Sequence, residues 1–113
     1  MAATNPPFMT GVPELLCLRL LADEEMYGYE LVRRIRLVTE EAVTLGEGVV
    51  YPTLHMLEKR RELKARREIV SGRPRIYYSV SAKGRRRLQQ LEARWSSVRD
   101  GVERALGGAT HVE

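Results

Sequence analysis

Apolar residues recur at helical spacing through the N-terminal part of the chain. One helix is predicted from near Pro13, which suits an opening turn, to about Asp23, and it is apolar on most of its surface. A second is predicted over about Tyr27–Thr39, with arginines on the faces that the apolar residues leave. Gly28, near its start, leaves room for a neighbouring helix to approach closely.

A third, shorter helix is predicted to begin around Gly48. Pro52 is expected in its first turn, because deeper in a helix proline loses a hydrogen bond and clashes with the preceding turn. The core-facing residues of this helix are predicted to be Val50, Leu54 and Leu57.

The pattern then changes to that of a two-stranded hairpin. The strands are predicted over Lys64–Val70 and Arg75–Val80, joined by the turn 71–74, in which a glycine permits positive φ. Apolar and polar residues alternate in the second strand, as in a half-buried strand. One face carries Ile76, Tyr78 and Val80, and the other carries Arg75, Tyr77 and Ser79.

A long last helix is predicted over about Ala82–Leu106, with Ser81 as its N-cap. Its apolar residues are spaced alternately by three and four positions: Leu88, Leu91, Trp95, Val98, Val102 and Ala105. Such a heptad seam is typical of a helix that packs against another helix, and little of a chain of this length remains to cover it. We therefore expect this helix to pair with that of a second copy.

Positive charge is concentrated in one part of the chain. Residues 59–87 contain twelve Lys or Arg against two acids, a net charge of about +10, whereas the remainder has seven bases against thirteen acids. Charge alone would suit nucleic acid or an anionic membrane surface. A basic helix beside a basic hairpin, however, fits the grooves of double-stranded DNA, and this is the partner we expect.

The order helix, helix, helix, hairpin, helix predicts an α+β, mainly α fold: a winged helix-turn-helix with a C-terminal dimerisation helix. Residues 1–11 are expected to form a flexible arm, 12–81 the DNA-binding domain, 82–107 the dimerisation helix and 108–113 a disordered tail. A different class of function stays open, an RNA- or protein-interaction module that does not read a DNA sequence.

Other classes of function have little support in the sequence. One cysteine and two distant histidines, His55 and His111, give no metal-ligand spacing, and we expect neither a metal nor a cofactor. No nucleophile-base order or phosphate-binding glycine loop is present, so an enzyme is not expected. The sequence also lacks a membrane-spanning apolar run and a signal peptide, which makes the cytoplasm the expected location and a membrane an unexpected partner.

Four local strings resemble the PadR family of bacterial transcription regulators, in its short form with one C-terminal helix. They are Tyr-Gly-Tyr-Glu-Leu at 27–31, Gly-Val-Val-Tyr-Pro-Thr-Leu-His-Met-Leu-Glu at 48–58, Gly-Arg-Pro-Arg-Ile-Tyr-Tyr at 72–78 and Ser-Ala-Lys-Gly at 81–84. The resemblance implies a homodimeric repressor on a pseudo-palindromic operator. The third helix would enter the major groove, and the wing would touch backbone or minor groove. Small aromatic or drug-like effectors release some members of the family from DNA, so such an effector is a possible partner here.

The chain departs from the family pattern at both ends of the third helix. Val49 stands where a Thr or Ser is usual, which removes a hydroxyl. The usual glycine at the end of the helix is replaced within 60–62.

The candidate DNA-binding residues lie in the third helix and the hairpin: Tyr51, Thr53, His55, Lys59, Arg60, Lys64, Arg73 and Arg75. Their hydroxyl, imidazole and cationic groups suit phosphates or base edges. Packing is an equal alternative for Tyr51, and an ordinary surface position is the alternative for His55.

Trp95 in the last helix is assigned two roles. It belongs to the predicted dimer interface, with Leu88, Leu91, Val98 and Val102. It is also a candidate wall of an effector pocket, with Leu15, Cys17 or Leu18 of the first helix, since an aromatic slab can stack on a flat ligand. The simpler readings are an interface-filling tryptophan and a small buried cysteine.

Overall fold

The computed structural model describes residues 10–108. The predicted arm and tail lie outside these residues, except for positions 10, 11 and 108. The elements follow in the order α1 (Val12–Asp23), β1 (Met26–Tyr27), α2 (Gly28–Val38), α3 (Glu47–Lys59), β2 (Leu63–Val70), β3 (Arg73–Val80) and α4 (Ala82–Glu103). A π-helical turn, Arg104–Gly108, continues α4. The predicted winged-helix fold is thus confirmed.

The core forms around α1, which contacts α2, α3, α4 and β3. Cys17 and Leu18 of α1 are fully buried, and burial raises the pKa of the Cys17 thiol to about 12. The predicted core residues of α3 are also fully buried: Val50, Leu54 and Leu57. Leu88, near the start of α4, completes this core within the chain itself.

Pro52 lies one turn deeper in its helix than expected. α3 begins at Glu47, so Pro52 is in the second turn and cannot donate a hydrogen bond to the carbonyl of Gly48. Gly48 and Pro52 are both exposed, so that water can reach the carbonyl left without a partner. The helix therefore tolerates the proline.

The sheet has a third strand that the sequence pattern did not predict. The order is β1-β3-β2, with Met26 and Tyr27 pairing antiparallel with Tyr78 and Tyr77. A strand of two residues has no periodicity of its own. Because the backbone of Tyr27 is extended, α2 begins at Gly28, one residue later than predicted.

The hairpin turn is shorter than predicted. Ser71 and Gly72 both have positive φ, +51° and +77°, the combination of a two-residue turn matched to the twist of paired strands. Val70 consequently pairs with Arg73, and β3 includes both Arg73 and Pro74. Pro74 is accommodated because β1 does not extend that far, which leaves this edge of β3 open.

Candidate nucleic-acid interface

The outer face of α3 is exposed along its length. His55 and Lys59 are solvent-exposed, while the opposite side of the helix is packed on the core. Thr53 does not belong to the outer face, contrary to expectation. It is 9% exposed, and its Oγ1 donates to the carbonyl of Val49 at 2.8 Å. Its hydroxyl is thus taken up within the helix and is not available to DNA.

Tyr51 is a packing residue in this chain. Its ring lies directly on Gly28, where a Cβ would overlap it, so Gly28 is the point at which α2 and α3 approach closely. Burial raises the pKa of the Tyr51 phenol above its ordinary value. Tyr51 still lines the edge of a groove of about 240 Å³ between α3 and β3, beside His55.

The hairpin projects beside this groove as a wing. The side chains of residues 64–69 in β2 are exposed, and Arg73 is exposed at the tip. Arg67 pairs with Ile76, and Ala65 pairs with Tyr78. Because alternate residues share a face, Arg67 lies on the groove side of the hairpin. The weak alternation of β2 in the sequence had not singled out Arg67; only the register does so.

The alternate face of the wing carries a row of cations stacked on tyrosines, and Arg75 and Tyr27 of this row also line the groove. The Arg75 guanidinium lies 4.2 Å from the Tyr27 ring centroid, and that of Arg66 lies 4.7 Å from the Tyr77 ring centroid. The two tyrosines contact edge to face, with ring centroids 5.6 Å apart. A hydrogen bond with Tyr77 raises the pKa of Arg75. The wing arginines on this face are therefore held in place before any ligand arrives.

Internal ion pairs reduce the charge that the basic segment presents. Arg66 donates to both carboxylate oxygens of Glu25 at 2.7 Å and also pairs with Glu68. Arg60 pairs with Glu14 at 3.5 Å, so it faces α1 and is not the free cation expected at the end of α3. Among the residues that the structure describes, no carboxylate pairs with the bases Lys59, Lys64, Arg67, Arg73 and Arg75.

The end of α3 shows how the chain manages without the glycine that is usual at this place in the family pattern. Arg61 takes a left-handed conformation, φ +65°, which is usually occupied by glycine. The Arg61 amide donates to the Glu58 carbonyl at 2.8 Å, and the Glu62 amide donates to the Leu57 carbonyl at 2.9 Å. These two hydrogen bonds end the helix in the same way as they would with a glycine at position 61. The difference is that the left-handed backbone of Arg61 is strained, because arginine has a Cβ.

The predicted effector residues divide between two places. Cys17 and Leu18 are fully buried in the core and cannot line an open pocket. Leu15 and Trp95 do meet, in a cleft of about 200 Å³ between the start of α1 and the middle of α4. Its remaining lining residues are Thr10, Gly11, Val12, Leu91, Arg94 and Val98.

The predicted dimer seam divides in the same way. Leu88 is buried by its own chain, so it is not free to meet a second copy as expected. Leu91 is partly buried, whereas Trp95, Val98 and Val102 are 43%, 52% and 50% exposed. After Leu91, therefore, the apolar residues of this stripe are not buried by other parts of the chain that the structure describes.

Two further features bear on the class of protein. Within residues 10–108, His, Cys, Asp and Glu side chains do not come together in a group of three that could hold a metal ion. No helix in that range has both the length and the apolar character needed to cross a membrane.

Comparison with known proteins gives one consistent family. The sequence matches the transcriptional regulator PadR-like family over residues 17–90. It is 29% identical to the transcriptional regulator Rv3488 of Mycobacterium tuberculosis over 105 residues, which cover 93% of this chain and 92% of that protein.

Solved structures agree in fold. A PadR-like transcriptional regulator from Bacillus cereus superposes with a TM-score of 0.76 at 29% identity, covering 90% of this chain and 98% of that one. A PadR family regulator from Eggerthella lenta gives 0.75 at 29% identity, covering 88% and 86%. The matched family segment includes most of α1, all of α2, α3 and the wing, and the start of α4. The chain belongs to the PadR-like family of transcriptional regulators, which are not enzymes.

Proposed function

We propose that the protein is a homodimeric repressor that binds a specific double-stranded DNA operator through α3 and the wing. One observation carries the proposal: the exposed face of α3 lies beside a hairpin in which Lys64, Arg67, Arg73 and Arg75 are exposed or half-buried and form no salt bridge with a described residue, whereas Arg66 does. Within the basic segment, ion pairs engage Arg60, Arg66 and Arg87, and the exposed bases of the α3 end and the wing that have no such pair remain available to phosphates.

Phosphate contact is assigned to the exposed bases of the α3 end and the wing: Lys59, Lys64, Arg67, Arg73 and Arg75. Each neutralised phosphate releases counterions, so affinity should fall steeply with added salt. His55 is the residue of this face best suited to read a base edge, because its imidazole is exposed in the middle of α3. Tyr51 contributes by holding α3 on α2.

Dimerisation is assigned to the distal half of α4. The stripe of Leu91, Trp95, Val98 and Val102 has heptad spacing and is exposed beyond its first residue. Pairing two such stripes would bury them and place two copies of α3 on one side of the dimer. Two α3 helices that read successive major grooves on one face of DNA lie about 34 Å apart, one helical turn.

An effector site is assigned to the cleft between Leu15 and Trp95. The cleft is smaller than pockets that enclose drug-sized ligands, which are about 300–1,000 Å³. A second protomer at the α4 stripe would bring its own Trp95 close, so the dimer would supply further wall. Planar aromatic compounds should therefore quench Trp95 fluorescence as they bind. Compounds that bind and leave this fluorescence unchanged would place the site elsewhere.

Selection of duplexes from random DNA tests the main proposal. The expected product is a two-fold symmetric sequence bound by two chains, at least about 1,000-fold tighter than unrelated DNA at physiological salt. Enrichment of no sequence would contradict it. Equal binding of RNA and DNA would instead favour an interaction module without sequence readout.

A further inference from the structure

Three parts of the chain meet at one arginine of α4, outside the proposed DNA-binding surface. The Arg87 guanidinium donates to Glu62, in the connection between α3 and β2, at 2.6 Å, and to Glu14 in α1. Glu14 also accepts from Arg60, the residue that caps α3. Arg87 therefore joins α4 to α1 and to the segment in which α3 ends.

Backbone contacts hold the first turn of α4 on the same segment. The Ser81 amide donates to the Glu62 carbonyl at 3.0 Å, and the Ser81 hydroxyl donates to the Arg61 carbonyl at 2.7 Å. The Lys83 ammonium donates to the Arg60 carbonyl at 2.7 Å. The carbonyls of residues 60–62, directly after α3, are thus bound by the start of the helix that carries the apolar stripe.

Glu62 is the unusual member of this junction. Its side chain is only 5% exposed, so the carboxylate loses most of its hydration, and Arg87 is its ion-pair partner in the described chain. A buried ion pair commonly adds little stability over apolar residues of similar size, because desolvation offsets the attraction. It does fix geometry, since a planar guanidinium can bind two carboxylates only in one arrangement. Orientation is therefore the role that this pair fits best.

We propose that Arg87 is a positioning residue that fixes the angle between α3 and α4, and with it the separation of operator half-sites that the dimer reads. This inference rests on the proposed function, because it presupposes a dimer bound to two half-sites. Without Arg87, the apolar core and the Ser81 and Lys83 hydrogen bonds still hold the first turn of α4 beside the end of α3. Arg87 adds a second point of attachment one turn further along α4, which also ties α4 to α1 through Glu14.

The test uses the double variant Glu62→Met/Arg87→Met. Replacing Arg87 alone would leave a buried carboxylate without a partner, whereas apolar residues at both positions keep the site filled. Arg86→Met is the control for the loss of an arginine at this part of α4, because Arg86 is the exposed neighbour and makes no ion pair with the described residues; the double variant itself leaves the net charge unchanged. Thermal unfolding establishes that all three proteins are folded.

The DNA probes are the selected operator, a single half-site, and operators with one or two base pairs inserted or deleted at the centre. The wild type and Arg86→Met should lose affinity on the order of 100-fold when the half-sites are displaced, because simultaneous binding fails. The double variant should bind the single half-site as tightly as the wild type does. When the half-sites are displaced, however, its affinity should fall only about threefold to tenfold.

Two results would overturn the inference. One is that the double variant loses as much affinity as the wild type when the half-sites are displaced. The other is that the double variant loses as much affinity for the single half-site as it loses for the intact operator. Failure of the proposed function is a separate result. It would be seen in the wild type, as the absence of any preferred half-site.

Discussion

Gly84 in α4 packs directly against the backbone carbonyl of Glu62. A Cβ at position 84 would overlap this oxygen and lie 2.8 Å from Cγ1 of Val80. Because the obstacle is backbone, the contact cannot be relieved by turning a side chain.

Gly84→Ala should therefore lower the free energy of unfolding by about 3 kcal/mol, since overpacking must push α4 away from the end of α3. Gly101→Ala is the control in the same helix, where the nearest atom to a new Cβ is a flexible arginine nitrogen at 3.7 Å. It should stabilise the protein by roughly 0.5–1 kcal/mol through helix propensity alone. Urea denaturation at one protein concentration measures both, and equal effects would refute the contact.

Arg61→Gly should stabilise the protein. The left-handed backbone of Arg61 costs about 1 kcal/mol in any residue with a Cβ, and glycine removes this cost. Part of the gain is lost to the greater freedom of glycine in the unfolded chain, so the net expectation is about 0.5 kcal/mol. Arg60→Gly, at a helical φ of −79°, should instead destabilise. The prediction is wrong if both substitutions destabilise to the same extent.

The two halves of the α4 seam should respond differently to substitution. Val98→Asp/Val102→Asp places charges on the exposed stripe, so it should convert the dimer to folded monomers in sedimentation velocity. Leu88→Ala removes a core residue, so it should cost about 2–4 kcal/mol of stability and leave association intact in the folded fraction. Folded dimers in the first variant would mean that another surface pairs the chains.

Tyr27 should support Arg75 in DNA binding through its ring and not through its hydroxyl. Tyr27→Leu is expected to weaken operator binding about threefold to tenfold, as the guanidinium loses its stacking surface. Tyr27→Phe keeps the ring and should bind nearly as the wild type. In a double-mutant cycle with Arg75→Ala, the loss of binding free energy in the double variant should be smaller than the sum of the losses in the two single variants. Fully additive losses would show that the two residues act separately.

Much of the architecture follows from periodicity. The helices, the hairpin and the Ser81 cap were predictable because each has a long local signal, and the Ser81 side chain does accept the Gly84 amide at 3.1 Å. The two-residue strand β1 was not, because its pairing with β3 is a long-range event. The turn was predicted too long because Ser71 adopts positive φ, which its sequence does not require.

The direction of single side chains was the weaker part of the prediction. A threonine such as Thr53 suits either a surface or an interior, and a leucine such as Leu88 suits either the core of its own chain or a subunit interface. Only the assembled core shows that both side chains are buried within the chain. Arg60 and Arg67 are both basic, yet an acid from α1 binds the first, and strand register puts the second beside the groove. Charge in the sequence predicts the partner class; it does not say which cations remain unpaired.

The central claim is that α3 and the wing form the DNA-binding surface, and Arg73→Glu/Arg75→Glu tests it most directly. Operator binding by fluorescence anisotropy is measured beside sedimentation. The control of equal charge change is Arg99→Glu/Arg104→Glu, in distal α4 and the π-helical turn that continues it. We expect the wing variant to be dimeric and folded but to bind no operator, and the control variant to bind it still. Undiminished operator binding by the wing variant, or its dissociation into monomers, would contradict the assignment of the wing to the DNA-binding surface.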